Sequence, residues 1–129
     1  AGNIIGIIAQ RLIRKLCKYC KESYIPDQYE LGLLNYTQTT EPLKLFKARG
    51  CKACDNTGYK GRMALLEILK MNAELDDLLV QGATAKEITR EAGKQGFLTL
   101  ADDGVRHVIA GVTTIAEISR VTDLTERMT

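Results

Sequence analysis

The four cysteines of this chain fall as two Cys-x-x-Cys pairs, Cys17-Lys-Tyr-Cys20 and Cys51-Lys-Ala-Cys54, with residues 21–50 between them. Two residues between thiolates let one tight turn aim both sulfurs at a single ion. Two such turns complete a tetrahedron of ligands at about 2.3 Å, the arithmetic of a structural zinc site. Four sulfur ligands leave no open coordination position for water or substrate, so a metal held this way has a structural role, not a catalytic one. Three other readings compete. Two disulfides call for an oxidising compartment, and nothing at the N-terminus resembles a secretory signal. A thioredoxin-type redox site needs only one pair, inside a βαβ pattern. An iron–sulfur cluster takes the same ligands, and spacing alone leaves it open. One Zn2+ per chain on Cys17, Cys20, Cys51 and Cys54 is the expectation carried forward.

With 129 residues there is room for one domain with a real core, or for a small metal module and a helical tail. No apolar run approaches the roughly 18 residues that cross a membrane. The opening Ala-Gly-Asn-Ile-Ile-Gly-Ile-Ile-Ala lacks an initiator Met and a basic leader, and reads as the interior of a larger protein. The net charge of +2 hides a split. Residues 1–62 carry eleven Lys/Arg against five acids, a net of +6, whereas residues 63–129 carry seven against eleven, a net of −4. Part of the basic excess offsets thiolate charge, since Zn2+ with four thiolates carries −2. The sharper reading is a basic surface for an acidic neighbour.

Local patterning gives an α+β chain. Ile4, Ile5, Ile7 and Ile8 fit the end of a helix or a buried strand, and residues 11–16 an extended segment. Residues 21–50 hold both prolines and the polar stretch Asn35–Thr40, an excursion with a short helix near Asp27–Leu34; Leu43, Leu45 and Phe46 are expected to pack it under the metal. Gly58 and Gly61 supply turns. Met63–Leu69 is a short, mostly apolar run, most simply a buried strand. Four short helices follow. Asn72 caps one to Val80, with Leu75, Leu78 and Leu79 on one face. Thr84-x-x-Glu87 opens one to about Gln95, stopped by Gly96. Thr99 precedes one to Ala110, and Thr114-x-x-Glu117 opens the last, with Ile115, Ile118 and Val121 on one face. Helices this short need a partner to pack on.

The sequence holds no Gly-x-x-x-x-Gly-Lys-Ser/Thr; its one Gly-Lys pair, Gly93-Lys94, is followed by Gln. There is no Gly-x-Ser-x-Gly. His107 is the sole histidine and has no evident nucleophile to serve. Asp102 and Asp103 fall in a first helical turn, where acids favour the positive dipole end. No catalytic residue is assigned.

Read together, Ala9-Gln-Arg-Leu-Ile-Arg14, Leu16-Cys17-x-x-Cys20, Gly50-Cys51-x-x-Cys54-x-x-Thr57-Gly58-Tyr59-x-Gly61-Arg62 and Leu66-Glu-Ile-Leu69 resemble the C-terminal part of the secretion ATPases that drive type II secretion and type IV pilus assembly. The likeness continues through Asp103-Gly104, Thr113-Thr114, Glu117-Ile118 and Arg120-Val121, and so covers nearly the whole chain. The first knuckle departs from it, with Lys18 where many members have proline. The resemblance implies a cytoplasmic ATPase, peripheral to the bacterial inner membrane, that forms a hexameric ring. It implies ATP and Mg2+ bound in a RecA-like core upstream of residue 1, with neighbouring subunits and an inner-membrane platform protein as partners. The chain then divides into the end of that core (1–16), a tetracysteine zinc module with short strands (17–69) and a C-terminal bundle of about four short helices (70–129). In a ring, Arg11, Arg14 and Arg62 are candidate interface residues, because arginine suits carboxylates and phosphates. The alternative is a basic zinc ribbon that binds nucleic acid. Against it, the aromatics gather in the 21–50 excursion instead of interleaving with Lys/Arg, and no nucleic acid is expected.

Overall fold

The computed structural model describes residues 5–36, 42–70, 72–94 and 97–125. Its spine is a long antiparallel ribbon of β1 (Ile5–Leu16) and β4 (Tyr59–Lys70). Between them in sequence lie β2 (Glu22–Tyr24), α1 (Gln28–Leu34), β3 (Leu45–Lys47) and a 3-10 turn at Lys52–Cys54. The two short strands pair antiparallel, with Tyr24 opposite Leu45. After the ribbon come α2 (Ala73–Val80), α3 (Ala85–Lys94), α4 (Leu100–Ile109) and α5 (Ile115–Ser119). The fold is α+β.

The apolar run at the start is therefore strand from Ile5 onward, and Arg11–Leu16 is extended as its pattern predicts. Met63–Leu69 is strand as well, but it begins four residues earlier and buries one face only: Leu65 is sealed while Ile68 is exposed. Two register shifts interrupt the ladder. At one of them, between Arg14↔Arg62 and Leu16↔Tyr59, β4 carries an extra residue, and Gly61 adopts φ +87° there. Gly61 thus makes a bulge inside a strand, where the sequence suggested a turn.

The inner face of the ribbon, Ile13 and Leu65, meets Val105 and Val108 of α4, Ile118 of α5, Leu33 and Leu34 of α1, Leu45 of β3, and Leu124. Leu43 packs against this same cluster. Leu43 and Leu45 therefore belong to the main core and not to the cysteine site, whose buried cluster is made of cysteines alone. The helices start where their caps require. Asp27 and Glu30 form a reciprocal capping box, as do Thr99 and Asp102, and Asn72 accepts from the Leu75 N–H. α2 packs against α3, leaving Leu79 and Val80 exposed, so the expected Leu75–Leu78–Leu79 face reduces to a buried Leu75 and a half-buried Leu78. Gln95 and Gly96, the expected end of α3, lie outside the described residues, as do Ile4 and the Thr37–Thr40 end of the polar stretch.

α5 departs from its expected capping box for an instructive reason. Thr114 Oγ1 accepts from the Glu117 N–H at 3.0 Å, but the Glu117 carboxylate does not return the bond. It is drawn instead to the free edge of β1, where it accepts from the Arg14 N–H at 2.6 Å, from the Arg14 guanidinium at 3.0 and 3.2 Å, and from Arg120 at 2.9 Å. The rest of that edge is covered by the same stretch of chain. Thr113 Oγ1 donates to the Arg14 carbonyl at 2.9 Å, the Leu16 N–H donates to the Val112 carbonyl at 2.8 Å, and Arg120 donates to the Leu12 carbonyl at 3.2 Å. β4 is treated alike: buried Asp103 accepts from the Leu66 N–H at 3.0 Å and from Arg106 at 2.6 Å. Asp103 thus does more than complement a helix dipole. His107 lies beside it, with Nε2 3.5 Å away.

Burial alone would raise the Glu117 pKa, but hydrogen bonds from Arg120 and from Arg14, side chain and backbone, outweigh it and hold the carboxyl at about 2 against an ordinary 4.5. A depressed folded-state pKa contributes stability that is full above the unfolded value and is lost as pH falls through the folded one. Glu117→Gln should therefore cost about 2 kcal/mol near neutrality, less than a fully buried pair because both arginines are half exposed. Urea unfolding at several pH values should show the gap between wild type and variant constant above about pH 4.5 and closing toward pH 2. A gap that does not change with pH would refute the edge-carboxylate account.

Candidate metal centre

The ends of β1 and β4 carry the two cysteine knuckles. Cys17 directly follows Leu16, and its N–H donates to the Gly58 carbonyl at 2.9 Å, which pins the first knuckle to the second. The second knuckle is a 3-10 turn with Asp55 and Asn56 in left-handed conformation (φ 55° and 63°). The Asn56 N–H closes it on the Cys51 carbonyl at 2.8 Å, and Thr57 Oγ1 donates to the Cys54 carbonyl at 2.7 Å.

All four sulfurs lie within 4.8 Å of one another. Cys17–Cys51 and Cys20–Cys54 are 3.8 Å apart and Cys51–Cys54 3.7 Å. A tetrahedron with metal–sulfur bonds of about 2.3 Å has edges of about 3.8 Å, so the donor set fits a metal ion without rearrangement. Each cysteine is free. Backbone N–H groups point at the sulfurs: Gly50 to Cys20 at 3.4 Å, and Cys51 and Gly58 to Cys54, each at 3.2 Å. Such donors orient metal-bound thiolates and spread their charge. Burial opposes ionisation of Cys54, but the Cys51 and Gly58 N–H groups and its neighbouring thiols bring its pKa down to about 6. Burial pushes Cys20 the other way. A metal arriving here displaces protons from the remaining thiols.

Two glycines make this geometry available. Gly50 has φ +110°, and a Cβ there would sit 2.9 Å from the Asn56 carbonyl oxygen. Gly58 has φ +84°, and a Cβ would sit 2.4 Å from the Cβ of Ala48. Gly58 was expected to supply a turn, whereas Gly50 entered only as the residue before Cys51 in the motif, with no backbone role assigned to it.

The three candidate arginines do not converge. Arg11 is exposed and donates to the carbonyl of its neighbour Gln10 at 2.9 Å. Arg62 is exposed, directly opposite Arg14 in the ribbon register. Arg14 is spent within the chain, on Glu117 and over the Tyr59 ring at 4.1 Å. The Tyr59 hydroxyl in turn meets Thr114 Oγ1 at 2.8 Å.

A family model described as Type II/IV secretion system protein matches residues 1–120. The chain belongs to that family. The Type IV pilus assembly ATPase PilB of Thermus thermophilus is 37% identical over 119 residues, 92% of this chain and 13% of that protein. The Type II secretion system protein E of Pseudomonas aeruginosa is 38% identical over 122 residues, 95% of this chain and 24% of that protein. The Type II secretion system ATPase E of Vibrio cholerae is 34% identical over 122 residues, again 95% of this chain and 24% of that protein. The chain spans a quarter or less of the length of these relatives. No helix among the described residues is long and apolar enough to cross a membrane.

The glycine geometry generates a sharp comparison. Gly58→Ala combines a left-handed backbone penalty of roughly 1–3 kcal/mol with a clash against Ala48, and any shift of Gly58 disturbs its bonds to the Cys54 sulfur and the Cys17 N–H. Gly82→Ala shares the backbone penalty, with φ +81°, but meets nothing within 4 Å. Gly58→Ala should release its metal to a colorimetric chelator far faster than wild type, and Gly82→Ala should release it at the wild-type rate. Equal retention in all three proteins would refute the role given to Gly58.

Proposed function

We propose that this chain is the zinc-bearing C-terminal region of a hexameric ATPase that powers type IV pilus assembly or type II protein secretion. In this reading the chain supplies structure and interaction surface, and nucleotide chemistry belongs to the parent protein. The observation that carries it is the coincidence of a tetrahedrally spaced four-cysteine set with relatives bearing both of those names over more than nine-tenths of the chain. Zinc is the metal that four thiolates at this spacing suit best, with no preference of its own that would distort the tetrahedron. Residues 1–16 are then the end of the RecA-like core, and ATP and Mg2+ bind upstream of them. The protein works at the cytoplasmic side of the inner membrane, against neighbouring subunits and a platform protein. Arg11 and Arg62, exposed along the ribbon, are the arginines best placed to meet a neighbouring subunit, while Arg14 supports the surface from within.

Metal analysis of protein purified without added metal should give one zinc per chain. Structural zinc contributes on the order of 10–16 kcal/mol of apparent binding energy, so Cys51→Ser should unfold the 17–58 segment. A folded product carrying well under one zinc per chain, or an iron–sulfur chromophore, would refute the zinc assignment. The purified chain should also turn over no ATP above buffer background, because phosphoryl transfer depends on phosphate-positioning and charge-stabilising groups that this sequence lacks. In the full-length parent, Arg62→Ala should weaken ring assembly or ATPase activity with zinc content unchanged. Wild-type assembly and turnover would refute the interface.

A further inference from the structure

The outer side of the first knuckle carries a feature that metal binding does not use. Lys15, Lys18, Lys60, Tyr19 and Leu16 line a shallow pocket of about 310 Å3. The Lys18 ammonium stands 5.1 Å and the Lys60 ammonium 5.9 Å from the centre of the Tyr19 ring. All three lysines are exposed, and none meets a carboxylate among the described residues. Tyr19 is 66% exposed, on a knuckle whose fold does not need its ring. Three like charges lining one small pocket repel one another. Offsetting thiolate charge accounts for a lysine near the cysteines, but not for a lysine-only pocket floored by an aromatic ring and Leu16.

We propose that this pocket binds a phosphate group, with the Tyr19 ring packing against the apolar part of the molecule that bears it. Ammonium groups act as compact point charges that approach a tetrahedral phosphate from several directions, whereas carboxylate recognition favours the planar fork of arginine, which is absent here. The pocket is at the small end of ligand sites, the scale of a headgroup. The phosphate can belong to a soluble ester or to a lipid headgroup, where exposed tyrosine and lysine together suit the membrane interface.

The test is a chemical-shift titration of the isotope-labelled 129-residue chain with inorganic phosphate at constant ionic strength, then sedimentation with phosphatidylglycerol and phosphatidylcholine vesicles. Phosphate should move the amides of Lys15, Lys18, Tyr19 and Lys60 as one saturable set, where chloride does not. A Lys15→Gln, Lys18→Gln, Lys60→Gln variant should bind at least tenfold more weakly with metal content unchanged. Lys52→Gln, the equivalent lysine of the second knuckle, should bind as wild type does. Cosedimentation with phosphatidylglycerol but not phosphatidylcholine, reduced by Tyr19→Ala, would assign a lipid headgroup; phosphate binding without cosedimentation would assign a soluble ester. No response to phosphate or to either vesicle would overturn the proposal. So would an equal loss in Lys52→Gln, or binding of an oligodeoxynucleotide in the absence of any phosphate response.

Discussion

The carboxylate of Glu117 governs how the two halves of this chain meet. A strand in a two-stranded ribbon has one edge paired and one edge bare, and bare edges invite pairing with other chains. β1 solves this with a side chain. Glu117 takes the Arg14 N–H, Thr113 donates to the Arg14 carbonyl and Val112 accepts from the Leu16 N–H, so that the turn before α5 and the first turn of that helix cover the edge of β1. The position of α5 follows, and with it the seating of Ile118 on the inner face of the ribbon. The link reaches the metal knuckle too. Tyr59, beneath the Arg14 guanidinium, bonds Thr114, and Lys21 just beyond Cys20 donates to the Gly111 carbonyl at 2.8 Å. That carbonyl lies past the C-terminal end of α4, where a cation is favoured.

The metal half depends on a different force. Among the described residues, the buried cluster at the knuckles is made of cysteines alone. The 21–50 excursion is held on its other side, where Leu33, Leu34 and Leu45 enter the main core. Closing it at the knuckles carries an entropic cost, which a metal ion on the four sulfurs would offset. Because Cys17 continues β1 and Gly58 ties Cys17 to the turn leading into β4, an ion held by the four sulfurs would fix one end of the ribbon. The hydrophobic cluster fixes the middle, and Asp103 and Glu67 anchor α4 further along β4. The ribbon is thus the element shared by the metal module and the helices.

Much of this was legible because it rests on local chemistry. Cysteine spacing predicted four sulfurs brought close enough to hold a metal ion, and Asn72, Thr99 and Thr114 marked helix starts because a cap satisfies backbone groups only a few residues away. What the sequence hid is non-local. Glu117 has the position of a capping-box acid, and nothing in Thr-Ile-Ala-Glu reveals that a strand edge 103 residues earlier competes for its carboxylate. Arg14 looked available for a neighbour for the same reason. Leu79 matched the apolar face of α2 by spacing, yet α3 packs on that helix in a way that leaves Leu79 exposed. Gly61 read as a turn because glycine announces a left-handed backbone without saying whether the chain reverses there or only bulges.

The charge split also resolves into parts once partners are visible. Of the eleven bases in residues 1–62, Arg14 is consumed by Glu117, Lys47 and Arg49 share Glu22, and Lys21 caps Gly111 while lying 4.5 Å over the Phe46 ring. The exposed Glu22 pairs contribute little to stability. They do, however, remove two cations from any account of a basic surface. Of the seven that remain, Lys44 and Lys52 are exposed, and the other five divide by residue type. Arg11 and Arg62 stand along the ribbon, and Lys15, Lys18 and Lys60 line a pocket with Tyr19 beside the first knuckle. A delocalised planar fork and a compact ammonium are not interchangeable, so the two residue types suit different anions. The net of +6 that appeared as one basic face is divided among an internal clamp at Arg14, the Glu22 ion pairs, Lys21 at the end of α4, and exposed cations at several places along the chain.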